Sequence, residues 1–448
     1  MFVPCPRDQA LGESGVRRRF GTFRKISCRA VAGRASTVLF GLFIATAALA
    51  QTSPPQVSIV RSQKPARAVV YAAAGAELTC YDLDMEAATL NKRDSVILPD
   101  SIQYAWPHPS RKYFYVAWSN GAGSNHHGVS AFRIDSASGS LSPLGQPLAL
   151  AARPIHLSTD IPGTHLLIAY NDPSGVTVHR LGPDGIIGSQ VQQPAPLDNG
   201  VYAHQVRVDP SNSMVILVTR GNGPTNSKPE DPGALKIMSY QDGILTSRAS
   251  IAPGGGFGFQ PRHLDFQGQW VFVSLERQNK LQVYRKLDDG TLTREPVFTR
   301  DSVIDTRNMH RGQAAGTVHV HPNGKFLYQA NRAGGTADFE GKAVFAGGEN
   351  AIAVYLINPT TGEPTLIQNA DTHGSTPRTF ALDATGRILV AGNQNAMLVR
   401  EGQQVHPVPA GLSVFRVQGD GKLDFVRKYD VATDGARSLF WMGIVSLP

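Results

Sequence analysis

From about residue 66 to the C-terminus, apolar runs and polar turns alternate in a unit that recurs at roughly 50-residue intervals. Each copy opens on an apolar strand, crosses a turn of Pro, Asp, Asn or Gly, and returns on an aromatic-rich strand. A second strand pair and another polar turn complete it. Pro261–Phe266, the turn Gln267–Gln269, Trp270–Ser274, Leu281–Tyr284 and the turn Asp288–Gly290 form one such copy. A strand-only repeat of this length predicts a β-propeller, because one blade cannot bury both faces of its own sheet. Paired strands are expected at Ala68–Tyr71 and Leu78–Asp82, Tyr113–Trp118 and Val129–Ile134, His165–Tyr170 and Val176–Leu181, and Met214–Val218 and Leu235–Tyr240. The copy quoted above, Lys325–Gln329 with Ile352–Leu356, and Arg387–Ala391 with Leu412–Val417 bring the blades to seven. The last apolar run, Ser438–Val445, is expected to join the first blade and close the ring, which removes an exposed edge. The fold class is all-β, and no amphipathic helix of useful length follows residue 51. Asn222–Gly233, Ala333–Asn350 and Met397–Ala410 interrupt the rhythm and, rich in Gly, Pro and charge, read as loops. Loops on one face of a rigid scaffold commonly carry binding.

Charge alters the picture only at the N-terminus. The chain of 448 residues has a formal charge of +8. Of its 43 Lys+Arg and 35 Asp+Glu, eight and two precede residue 51, so the remainder is nearly neutral. No basic run marks a nucleic-acid footprint, and no nucleic-acid partner is expected. The basic leader is followed by the apolar run Thr37–Ala50, ending Ala48-Leu49-Ala50. This reads as a signal peptide, residues 1–50, cleaved after Ala50; an uncleaved anchor is the alternative. Residues 51–65 read as a linker and 66–448 as the folded domain. A periplasmic or secreted protein with no membrane attachment after cleavage is therefore expected, most simply a monomer. Cys5 and Cys28 lie in the leader, so Cys80 is left without a bridging partner and reads as a small buried apolar residue. No metal site is expected: His126 and His127 are adjacent, and neighbours on an extended segment point apart. Nor is there a nucleophile elbow, a phosphate-cradling Gly loop or a CxxC pair.

Comparison between blades isolates the positions that break the pattern. The inner strands are expected to begin Pro154-Ile155-His156, Ala203-His204-Gln205, Pro261-Arg262-His263, Thr317-Val318-His319 and Pro377-Arg378-Thr379. One slot repeats His at His156, His263 and His319, and reads as structural, because a half-buried polar group on a strand needs a partner. The other holds Ile155, His204, Arg262, Val318 and Arg378; charge in that slot needs a reason, since burying it unpaired is expensive. The next strands end Trp118-Ser119-Asn120, Ala169-Tyr170-Asn171, Val218-Thr219-Arg220, Ser274-Leu275-Glu276, Ala330-Asn331-Arg332 and Ala391-Gly392-Asn393. Asn is the default at such a turn. Glu276 and Arg332 depart from it, and a surface ion pair is the plain alternative for each.

These residues carry a resemblance. Tyr202–Val206 with Asp209-Pro210, Gly258–His263, Val273–Glu276, Val320–Tyr328, Ala330–Arg332 and Thr376–Arg378 resemble the seven-bladed propeller lactonase family. That family includes bacterial 6-phosphogluconolactonase and the fungal enzyme that cyclises carboxymuconate. The resemblance spans residues 66–448. Two departures stand out: Thr219-Arg220-Gly221-Asn222 where members usually carry an acidic turn, and the abbreviated turn Gln267-Gly268-Gln269. In the cyclising members a His, two Arg and a Glu are implicated in catalysis, and the matching residues are His204, Arg262, Arg332 and Glu276. His263, Arg378 and Asn331 are the expected substrate-binding residues, with a small lactone or carboxylate as substrate and no cofactor. Ester cleavage needs a base, cations for the oxyanion and an acid for the leaving alkoxide. The resemblance implies Glu276 as base, Arg262 and Arg332 as cations and His204 as proton carrier, in a sugar-lactone hydrolase. Ring closure of a muconate uses the same groups. A non-catalytic exported propeller that binds a protein or glycan is the alternative, with the quartet reduced to structural ion pairs.

Overall fold

A sheet that is apolar on both faces must be covered twice, and a ring lets each sheet be covered by its two neighbours. The computed structural model describes residues 67–448 except 122, 308, 434–436 and 448, so the expected signal peptide and linker lie outside the described residues. Seven four-stranded antiparallel blades follow one another in chain order. Their inner strands, beginning at Ile102, Pro154, Ala203, Pro261, Gln313, Ser375 and Leu439, touch in cyclic succession. The last of them, Leu439–Ser446, pairs with Ala68–Ala74 and is the innermost strand of blade one. The first and last parts of the domain thus share a sheet, and the ring has no open end.

Packing follows from this arrangement. Second strands such as Tyr113–Ser119, His165–Asn171 and Met214–Thr219 are buried at every position, because both of their faces meet another blade. Apolar clusters run between blades: Ile216 and Val218 pack with Leu264 and Val273 across blades four and five, and Val70 packs with Val390 and Leu412 across blades one and seven. Cys80 is buried in the first blade as a free thiol.

Two of the three interruptions are not loops. Thr336–Phe339 and Lys342–Phe345 form a hairpin out of blade six, and Met397–Glu401 and Gln404–Val408 form one out of blade seven. Val344 bridges Leu398 in parallel, joining the hairpins into an eighth small sheet. Polar, glycine-rich composition hid them, since neither hairpin has a blade face to bury. The segment Asn222–Gly233 remains a loop, pinned by the single bridge Asn222–Asp231.

One irregularity repeats in every blade. The pairing of each inner strand with its neighbour slips by one residue near its start. The extra residue is Phe440, Gln103, Ile155, His204, Arg262 or Arg378 in six blades, and falls at Gly316–Thr317 in blade six. A bulge bends the strand and re-aims the extra side chain. This pairing also corrects the sequence alignment of blade six by two residues. Gly316–Thr317, not Val318–His319, occupy the slots of Arg262–His263, and His319 stands where Asp265 stands in blade five.

Candidate functional site

The bulges of blades four, five and seven share a second feature. Two residues before His204, Arg262 and Arg378 stand Tyr202, Gln260 and Thr376, with φ of +58°, +40° and +55°. Left-handed backbone at a non-glycine residue is uncommon and costs on the order of 1–3 kcal/mol. It recurs where an inner-strand bulge carries a charged or titratable side chain. Gln260 is fixed there by its carbonyl, which accepts from the Glu276 backbone N–H at 3.0 Å. In blade six the bulge holds Gly316, where a Cβ would come within 3.0 Å of the Ala330 side chain and 3.4 Å of Arg332 Nε. The missing side chain leaves that space to Arg332.

Glu276 is the focus of the charges gathered here. Its Oε1 receives Arg332 Nη2 at 2.5 Å and lies 3.2 Å from Arg262 Nε, while Arg220 Nη1 donates to Oε2 at 2.9 Å. Arg332 Nη2 also donates to the Ala315 carbonyl at 2.8 Å, and Arg220 lies over the Tyr202 ring at 4.2 Å. These are not surface pairs: Arg262 is 1% exposed and Glu276 14%. Arg378 stacks on Phe440 at 3.7 Å and feels Arg332, Glu276, Arg153 and Tyr202. Arg153 donates to Gln103 Oε1 at 2.6 and 3.0 Å. Neither Arg153 nor Arg378 makes an ion pair with a described residue, so the cations at this end exceed the carboxylate that binds them. Burial alone would raise the Glu276 carboxyl, but Arg332, Arg262 and Arg220 overcome it and hold the group well below the usual carboxylate range.

Rings pack beside this cluster. His204 lies 5.2 Å from His263, His263 6.0 Å from His156, and His156 4.1 Å from Tyr104, between ring centroids. Burial first, and nearby arginines after it, push all three imidazoles well below their ordinary range, so they are neutral. The Nδ1 atoms of His204 and His263 and both ring nitrogens of His156 find no hydrogen-bond partner among the described residues. Further along the inner strands Arg207 packs on Trp106 and Phe266 and pairs with Asp265, which also receives the Val320 N–H. Burial opposes ionisation of Asp265, yet Arg207 and His319 bring its carboxyl down to about 2.

The model of the seven-bladed β-propeller lactonases matches residues 68–401. The chain belongs to that family. The Bacillus subtilis 6-phosphogluconolactonase is 26% identical over 339 residues, covering 72% of this chain and 86% of that protein. A 6-phosphogluconolactonase of Pectobacterium carotovorum is 29% identical over 304 residues, covering 67% and 80%. Among solved structures, the periplasmic gluconolactonase PpgL of Pseudomonas aeruginosa superposes with a TM-score of 0.63 at 18% identity, over 85% of this chain and 100% of that one.

In this propeller lactonase the structure brings together His204, Arg262, Glu276 and Arg332, with Arg378 beside them and His263 directly beneath His204. Asn331 is not brought to this cluster. It is fully buried, and its amide donates to the Ser302 carbonyl of the preceding blade. Arg220 joins the cluster, and its signal was present as the basic residue in a turn where an acidic one was expected. Gln103, Tyr104 and Phe440 also lie beside the cluster, on the inner strands of blades one and two, where the sequence carries no repeated His or Arg to mark the slot. No helix among the described residues is long and apolar enough to cross a membrane.

Proposed function

We propose that this chain hydrolyses a sugar lactone of the gluconolactone type at the mouth built around Glu276. The observation that carries this reading is one carboxylate outnumbered by arginines beside a buried, neutral histidine. Excess guanidinium charge suits a substrate that is anionic or becomes so as it reacts. The names of the relatives support the same substrate class. The leader pattern favours an exported enzyme and hence an unphosphorylated lactone, phosphogluconolactone being a metabolite of the cytosol.

The chemistry redistributes the roles read from sequence. A carboxylate clamped by Arg332, Arg262 and Arg220 is too weak a base to take a proton from water, so Glu276 aligns the guanidiniums instead. His204 is the titratable group left beside the cluster, and its Nδ1 makes no hydrogen bond to a described residue; burial and Arg262 depress it as well, and the negative charge a lactone develops at the arginines offsets the second of these as the reaction proceeds. Water attacks the lactone carbonyl carbon while His204 takes its proton. Arg262 and Arg332 meet the charge on the carbonyl oxygen. The ring C–O bond then breaks, and the imidazolium returns the proton to the leaving alkoxide, yielding the open hydroxy acid.

The test is a panel of glucono-1,5-lactone, 6-phosphogluconolactone and carboxymuconate run on wild type, H204Q and E276Q. Hydrolysis should fall about 10²- to 10⁴-fold in H204Q, the ordinary contribution of a general base. Turnover of carboxymuconate alone redirects the reading to ring closure. A wild-type protein inactive on the whole panel leaves the non-catalytic alternative.

A further inference from the structure

The eighth sheet has no counterpart in the seven-blade plan, and it stands beside Arg332. A cavity of about 520 Å³ runs from Arg332 and Arg311 past Thr336, Thr376 and Asn395. A second, of about 460 Å³, adjoins it, and the two share Thr336, Thr376 and Asn395. The first is cationic and polar. Arg311 is exposed and makes no ion pair with a described residue. The second is walled by Ala343, Ala396, Met397, Leu398 and Pro407, all from the joined hairpins or the turn leading into them. The floor between the cavities is tightly made. A Cβ on Gly335 would stand 2.1 Å from the Arg311 carbonyl oxygen, so the two backbone segments meet there only because no side chain intervenes. Thr376, β-branched and left-handed at φ +55°, is held by its N–H to Asn350 Oδ1 at 2.8 Å. Strain of this kind persists where the surroundings over-determine it, and it concentrates at ligand sites.

We propose that the joined hairpins form an extended substrate subsite, which selects sugar lactones carrying an alkyl or aryl substituent over the unsubstituted sugar lactone. The inference rests on the lactonase reading above and names its substrate class. Arg332 provides the continuity: one nitrogen binds Glu276 while the side chain lines the cavity that leads to the apolar wall. A ligand whose reacting carbonyl or carboxylate meets Arg332 therefore has a polar path past Arg311 and an apolar surface beyond it. Each methylene that leaves water on that surface strengthens binding about fourfold.

The test is calorimetric titration of the folded domain with acetate, hexanoate and octanoate, beside kcat/KM for δ-valerolactone and its alkyl-substituted homologues. Octanoate should bind at least tenfold more tightly than acetate, and that advantage should vanish in A396W, which fills the cleft, and in M397D, which charges its wall. R311A should weaken all three carboxylates. Equal affinity for acetate and octanoate, or an advantage that survives both wall variants, overturns the subsite. Lactone turnover with no preference for the alkyl-bearing homologues overturns it too, while leaving the hydrolase reading standing. Chain-length-dependent binding that the wall variants abolish, with no lactone turned over, supports the subsite and overturns the hydrolase reading alone.

Discussion

Glu276 and its three arginines show how a single side chain holds together charges that would otherwise push apart. Removing one partner of a buried charge cluster leaves the others uncompensated, which costs about 3–5 kcal/mol. E276A should accordingly lower stability by that amount in urea titration, whereas the exposed pair Arg387–Glu86 should contribute no more than about 1 kcal/mol when broken. Gly316 makes a second residue-level case, because a side chain there competes with Arg332 for space. G316A should reduce lactone turnover at least tenfold while leaving the melting temperature within a few degrees. The stacked histidines set a pH dependence. Each is held neutral in the fold, below its unfolded value of about 6.5, so the unfolded chain binds more protons in acid. Stability is then full above about pH 6.5 and falls below it by about 1.4 kcal/mol per pH unit for each histidine. H263Q should flatten that slope by one histidine's share in denaturant titrations from pH 7 to 5.

The recurrent bulge is what turns a plain strand into a delivery device. In blades four, five and seven it is combined with a left-handed residue, and these blades supply His204, Arg262 and Arg378. Glycine adopts that backbone without penalty, so T376G should raise unfolding free energy by about 1 kcal/mol, read by denaturant titration. The blades themselves were legible because their strands alternate Tyr, Phe, Val and Ile with turn residues at regular spacing. The bulges were not, since an extra residue leaves composition unchanged and shows only in pairing. That is why blade six was aligned two residues out, placing His319 beside His263 rather than opposite Asp265. The two hairpins of the eighth sheet escaped for a related reason. Their four strands, from Thr336 to Val408, alternate weakly and are stabilised by one another across a long stretch of chain.

Ring closure makes the molecule dependent on its last strand. Removing Leu439–Ser446 would expose Tyr71, Ala73 and the edge of blade one, so a chain truncated at residue 437 should fail to give a cooperative melt and should aggregate on size exclusion. The sequence by itself determined the repeat, its sevenfold count, the closing strand and the family, because burial periodicity and turn chemistry act over a few residues at a time. It also contained Glu276, Arg262, Arg332 and His204 as departures from a regular pattern. Which departures meet is a question of register and curvature. Asn331 and Arg332 are adjacent in the chain, yet one is spent on Ser302 between blades and the other binds Glu276. Folding also assigned the protonation states, since dense arginine neighbours and the loss of water around a ring arise only once seven sheets have closed.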